Sequence, residues 1–435
     1  MKKYLFRAGF DPAHVYNREE VLYRDPFGGN SGNMVYAVGA MNVLSFEDTI
    51  IDSSYYWPEG GKNEWTEEDI ERINSEYTAF VLPMADAFRS NFAKSLDAYT
   101  RLLKKIKIPC VVIGIGLEAS YEPHIEEKRP FDDNVRAFVA EILNHSACLG
   151  LRGHITGEYL HRLGFIEDRD YQVIGCPSLF MLGLGIAYKD LPSSINKYCT
   201  NTNKNWASKE ASDFLIKTFF TFSNSYLIQQ RYNEVKDILA KPTLKTEELY
   251  VFNHHAVSKM KRQNRIKYFT NVPAWQRFLE DADLFVGNRF HGTAMALLSG
   301  VPSLMIPLDS RTRELTEFHH IPSVPDSEIN TKLDIFDYLG KLNMSSFKDN
   351  HLAGLMNYHK FLKRNGLENI LDEKLDWPVG TSPFEAKLLY QNTESDIVCY
   401  DAADFAIKTK RFLTEERNRV ARLKHKVITL LTGRN

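Results

Sequence analysis

The chain has 435 residues, 43% apolar and 25% charged, with a formal net charge of −2. This length suits two domains rather than one ordinary core, and the composition excludes global disorder. The near-neutral balance gives no basic field for nucleic acid, no stretch approaches the roughly 18 apolar residues of a membrane span, and five scattered cysteines without CxxC or zinc spacing read as reduced cytoplasmic thiols.

The first ten residues carry Lys2, Lys3 and Arg7 but lack the apolar core of a secretory signal. From residue 4 to about 180, short apolar runs alternate with amphipathic stretches, which predicts βα units on a parallel sheet. Phe80-Val81-Leu82 and Cys110-Val111-Val112-Ile113 are the clearest buried strands. Thr66-Glu67-Glu68-Asp69 reads as a capping box that opens a helix through Ile70, Ile73 and Tyr77. Val135, Phe138, Val139, Ile142 and Leu143 share one face of another helix.

The Ser-, Asn-, Lys- and Thr-rich segment from Tyr188 to Ser208 marks a domain join near its start. We therefore divide the chain into residues 1–187, residues 188–335, and a helical C-terminal extension over 336–435. The second domain repeats the rhythm at Tyr226-Leu227-Ile228, Leu249-Tyr250-Val251-Phe252, Leu284-Phe285-Val286 and Ser303-Leu304-Met305-Ile306. Two such sheets place their strand-end loops around a shared crevice. Residues 401–435 carry nine Lys/Arg against four Asp/Glu, with Val420, Leu423, Val427 and Leu430 at helical spacing. A helix docked on its own protein and contact with an anionic membrane surface are both open for this segment.

The stretch from Leu284 to Pro302 is the most informative. An apolar strand runs into Gly287, the loop offers Arg289 and His291, and a helix of small and apolar residues begins near Gly292 or Thr293. An anion is favoured there by free backbone N–H groups, by the helix dipole and by the planar fork of Arg289. Pairing of Arg289 with an internal carboxylate is the competing reading. A second strand-to-helix step follows, in which Asp309 or Ser310 caps a helix and Arg311 and Arg313 either face the crevice or form surface pairs. The pairs His254-His255 and His319-His320 lack chelating geometry, and no metal is expected.

Taken together, Arg289-Phe290-His291, the small-residue helix, Gly300-Val301-Pro302 and Asp309-Ser310-Arg311-Thr312 leading to Glu314-Leu315 resemble the C-terminal signature of polysaccharide pyruvyl transferases. Gly29-Asn30-Ser31-Gly32-Asn33, Gly114-Ile115-Gly116-Leu117, Leu151-Arg152-Gly153-His154 and Gly175-Cys176-Pro177-Ser178 agree in order, so the likeness spans about residues 28–322. The resemblance implies an α/β fold of two Rossmann-like domains facing a cleft, as in GT-B glycosyltransferases. It also implies transfer of a pyruvyl group from phosphoenolpyruvate, as co-substrate and without a cofactor, to hydroxyls of a saccharide or lipid-linked saccharide in surface or extracellular polysaccharide biosynthesis. Residue by residue it implies donor binding by Arg152 and Arg289 and a proton-transfer or phosphate-binding role for His291, with Gly292, Thr293, Ser310 and Arg311 as further donor-side candidates and Asn30, Gly116 and Asp309 as cleft candidates.

Two departures stand out. Asn33 occupies a place where many members carry Asp, and Pro83-Met84-Ala85-Asp86-Ala87-Phe88 replaces a glycine-rich loop. Both fall in the N-terminal domain, the expected acceptor side. A GT-B-like nucleotide-sugar glycosyltransferase and a non-catalytic binding protein on the same fold remain the competing functions. The expected location is cytoplasmic, with peripheral contact at the inner membrane face through the basic C-terminal segment.

Overall fold

The computed structural model describes residues 2–10, 14, 16–45, 49–56, 59, 65–204, 206–239, 250–372 and 397–399. Strands β1 (Lys2–Phe6), β2 (Thr49–Ser53), β3 (Ala79–Pro83) and β4 (Cys110–Ile113) form a parallel sheet in the order β2-β1-β3-β4. A parallel pair, β5 (Leu149–Leu151) and β6 (Tyr171–Val173), extends it through a bridge between Ile115 and Leu151.

Successive side chains on these strands enter different cores. Tyr4, Phe6, Val81, Val111 and Ile113 belong to one, and Leu5, Phe80, Leu82, Cys110 and Val112 to the other. Burial on both faces explains why the runs are apolar without alternation. The helices Ala93–Leu103 and Asp132–Ile142 close the second core, with Val135, Phe138, Val139 and Ile142 inward as their spacing predicts. Thr66 and Asp69 form the expected capping box, each side chain accepting the other's backbone N–H at 3.1 Å. The first core runs on through helix Gly32–Val43 into the second half of the molecule.

That half holds β7 (Tyr198–Asn201), β8 (Ser225–Ile228), β9 (Ile266–Phe269), β10 (Leu284–Gly287), β11 (Ser303–Met305) and β12 (Ile397–Cys399) in one sheet of order β11-β10-β7-β8-β9-β12. All its pairings are parallel except β12 against β9. The architecture is therefore α/β, with two Rossmann-like halves. The strand predicted at Leu249–Phe252 is not formed over its described part. Tyr250 and Phe252 are core plugs on a bend, with the Tyr250 hydroxyl bound to Asp237 at 2.7 Å. β9 supplies the strand instead.

Helices Ile335–Leu339 and Met344–Arg364 begin the C-terminal part. The longer one bonds back to the first half, where the Asn357 amide donates to the Val173 carbonyl at 2.6 Å. The basic segment 401–435 lies outside the described residues. Among the described residues no helix is long and apolar enough to cross a membrane.

Candidate functional site

Loops that follow β3, β5, β7, β8, β10 and β11 line one cavity of about 150 Å³ between the halves. Its walls are aligned by main chain. The Ser31 amide donates to the Gln230 carbonyl at 2.8 Å and the Tyr232 amide to the Gly29 carbonyl at 2.9 Å, which sets Asn30 opposite Arg231 in a short antiparallel bridge.

On the second wall, Asn201 at the end of β7 fixes Arg289 by its backbone, accepting its N–H at 3.1 Å and donating to its carbonyl at 3.0 Å. Arg289 is the N-cap of helix Phe290–Leu298, which starts two residues before the predicted Gly292 and places His291 in its first turn. Gly292 packs against Asn201, where a Cβ would collide with the amide, and Thr293 is buried with its hydroxyl on Met305 Sδ at 3.1 Å. Neither lines the cavity. Gly116 is likewise set behind the wall, giving clearance to Arg152, whose Cδ would lie 2.9 Å from an added Cβ. Ser310 ties the halves together, donating to the Leu117 carbonyl at 3.0 Å and accepting the Ala119 amide at 2.9 Å. The cavity thus gathers Arg152, Arg289, His291, Asn30, Asp309 and Arg311, while Gly116, Gly292, Thr293 and Ser310 are not among its lining residues.

The four lining arginines differ in how their charge is met. Arg289 forms a buried two-point pair with Glu234, a carboxylate that also accepts the backbone amides of Gln230 at 3.1 Å and Arg231 at 2.9 Å. Arg311 clasps Asp309 on its own half and Asp86 and Glu118 on the other. Burial alone would raise the Asp86 carboxyl, but Arg311, then Arg89 and Arg152, hold it well below the usual carboxylate range. Asp309 also caps helix Ser310–His319 through the Thr312 amide at 2.9 Å. By contrast, no carboxylate pairs with Arg152 or Arg231 among the described residues. The Arg152 guanidinium sits 5.2 Å from the Tyr36 ring centre, beside Cys176, and its Nε has no hydrogen-bond partner.

His291 stands next to Arg152. Burial first, then the Arg152 charge, pushes its pKa down to about 3, so the ring is neutral near pH 7. The charge that adds to burial is that of Arg152 rather than that of the sequence neighbour Arg289. Its Nε2 lies 3.9 Å from Cys176 Sγ, and Tyr36 and Phe290 meet the ring edge-on. Gly32 makes room for Nδ1, which an added Cβ would approach to 2.6 Å.

Sequence reasoning passed over Arg231, Glu234, Asn201 and Asn203. Gln230-Arg231 follows β8 as Arg289 follows β10, and that shared strand-end position was the available signal. Asn33, read as the loss of an acid, serves as a hydrogen-bond donor, its amide bonding the carbonyls of Phe27 at 2.9 Å and Gly28 at 3.3 Å. Among the described residues no group of three or more His, Cys, Asp or Glu is placed to hold a metal ion.

Comparison with known proteins adds the following. No curated protein sequence matches the chain. Among solved structures it is similar to a putative UDP-N-acetylglucosamine 2-epimerase from Listeria monocytogenes, at 13% identity and a TM-score of 0.44, with 83% of this chain and 95% of that one covered. It is also similar to Anabaena Alr3699/HepE in complex with UDP and glucose, at 12% identity and a TM-score of 0.42, with 83% and 99% covered. The family model for polysaccharide pyruvyl transferase matches residues 46–310, well over half of the sequence. Strand-end loops, the Arg289-Phe290-His291 step and this match agree, and the chain belongs to the polysaccharide pyruvyl transferase family of transferases.

Proposed function

We propose that the enzyme transfers a pyruvyl group from phosphoenolpyruvate to saccharide hydroxyls, forming a carboxyethylidene ketal and releasing phosphate. The observation that carries this reading is Arg152, a buried guanidinium without a carboxylate partner, set beside a neutral His291 in a small cavity. A cavity of about 150 Å³ falls below the roughly 300–1,000 Å³ of pockets for drug-sized ligands. It suits a compact dianion better than a nucleotide sugar.

The reaction adds a proton to the methylene carbon of phosphoenolpyruvate while a sugar oxygen bonds to the central carbon. A second sugar hydroxyl then displaces phosphate from that carbon. One hydroxyl proton ends on the new methyl group and the other on phosphate. His291, neutral before the substrates bind, takes the proton from the attacking hydroxyl. Arg152 holds the carboxylate, and Arg289, already balanced by Glu234, offers its Nε as a further hydrogen-bond donor.

Buried free thiols at Cys110, Cys148, Cys176 and Cys199 support a cytoplasmic location. The excess of Lys/Arg in 401–435 supports peripheral contact with an anionic membrane that carries a lipid-linked acceptor. The discriminating experiment is a melting curve of the full chain. Phosphoenolpyruvate at a hundredfold excess over Kd is expected to stabilise the fold by about 2.7 kcal/mol, while nucleotide sugars leave the curve unchanged. A shift with a nucleotide sugar alone overturns pyruvyl transfer in favour of glycosyl transfer. Phosphoenolpyruvate binding without phosphate release, across a panel of saccharide acceptors, favours a non-catalytic binding protein.

A further inference from the structure

Beyond the pair of arginines that the family motif singles out, the cavity contains a third whose charge is unanswered. Arg231 follows β8, and the side-chain hydrogen bond described for it runs from its guanidinium to Asn203 Oδ1 at 3.0 Å. The nearest acid, Glu234, is committed elsewhere. Its Oε2 accepts one terminal nitrogen of Arg289 and the amides of Gln230 and Arg231, and its Oε1 accepts the other terminal nitrogen of Arg289, so the carboxylate is turned to Arg289 and the main chain rather than to the Arg231 guanidinium. Two arginines therefore share one carboxylate at this wall, and Arg231 is the one left over.

The groups around it point the same way. Gln230 and Asn288 line the cavity and are each 1% exposed, and their amide nitrogens have no hydrogen-bond partner. Arg289 Nε is in the same condition. A cluster of buried unpartnered N–H groups beside an unbalanced guanidinium is costly in an empty site and is relieved by an acceptor-rich anion. Burial, then the neighbouring charge of Arg289, lowers the Arg231 pKa and outweighs the attraction of Glu234.

We infer that Arg231, with the Gln230 and Asn288 amides, is the phosphate contact of the pyruvyl donor, facing Arg152 across the cavity as the carboxylate contact. A phosphate offers three terminal oxygens to this wall, which has more free hydrogen-bond donors than a carboxylate needs. The donor then bridges the halves, one anionic group on each. The assignment rests on phosphoenolpyruvate as donor, and the test separates the two claims.

Binding of inorganic phosphate and of phosphoenolpyruvate to the full chain is measured by titration calorimetry for wild type, Arg231→Gln and Asn203→Asp. Loss of one charge-assisted contact is expected to weaken both ligands roughly 10–100-fold in Arg231→Gln. Asn203→Asp keeps Arg231 in place but puts a carboxylate against it, and a weakening in the same direction is expected. This second variant tests the charge without removing the side chain, should Arg231→Gln fail to fold. Wild-type affinity for both ligands in either folded variant overturns the Arg231 assignment and leaves the donor reading standing. A wild type that binds phosphate, with loss in the variants, but not phosphoenolpyruvate overturns the donor and keeps the anion site. Binding of neither anion by wild type overturns both.

Discussion

Glu314, on helix Ser310–His319, accepts the Thr156 backbone amide at 2.9 Å, so a side chain of one half caps helix His154–Arg162 of the other. Burial pushes its carboxyl up to about 8, against the Thr156 hydrogen bonds and the Arg152 charge. The folded chain keeps a proton that an unfolded glutamate near 4.5 has released. This contribution to stability is therefore complete below that value and is lost as pH rises toward 8. From about pH 5 to about pH 8.5 the wild type should lose stability relative to Glu314→Gln, whose amide does not titrate. Urea unfolding of both proteins across that range checks it, and parallel curves contradict it.

The Arg289–Glu234 pair changes what a substitution at Arg289 reports. Arg289→Ala leaves Glu234, 1% exposed, without its ion-pair partner, so the unliganded protein should lose about 3–5 kcal/mol as well as anion affinity. Replacing both residues by apolar side chains should recover much of the stability but not the binding. Melting curves without ligand decide this, and an unaltered melt in Arg289→Ala would contradict the pairing.

For His291 the expectation is a pH profile without an acid limb in the ordinary imidazole range. Its folded pKa of about 3 lies below the unfolded value of 6.5, so the neutral ring contributes stability above that value, and the contribution is lost as pH falls. The free-enzyme profile, kcat/KM against pH, should stay flat through pH ~6–7 unless another group titrates. Gly32→Ala pushes a methyl against Nδ1, which should displace the ring and lower kcat with little change in phosphoenolpyruvate affinity. Unchanged kcat in that variant would mean that the position of His291 is immaterial.

Asn33→Asp introduces the acid that the family resemblance implies at this place, yet it removes the amide protons that serve Phe27 and Gly28. A carboxylate there faces two carbonyl oxygens, and a loss of about 1–3 kcal/mol is expected. Thermal unfolding of the variant measures it, and equal or higher stability would show that the turn does not need the bond.

The sequence foretold features whose cause is local. Cys110–Ile113 is buried on both faces and reads as an apolar run, and the Thr66–Asp69 box closes within four residues. β9 was missed because Lys267 interrupts Ile266 and Tyr268, although that lysine is itself largely buried. Arg289 and His291 were legible because a strand-to-helix step draws attention to its loop. Glu234 was not, because its bond to Arg289 spans 55 positions. No periodicity reports a charge balance made between separate loops, which is why Arg231 looked ordinary until its neighbours were in place.

The short bridge between residues 29–31 and 230–232 divides labour within single residues. Ser31 and Gln230, like Gly29 and Tyr232, hold the two halves in register through amides and carbonyls, which every such residue possesses. The side chains of Asn30 and Arg231 are left to face the cavity. Exchanges at these two positions can thus retune what the cleft recognises while the frame around it stays aligned, so that specificity can drift without the scaffold following.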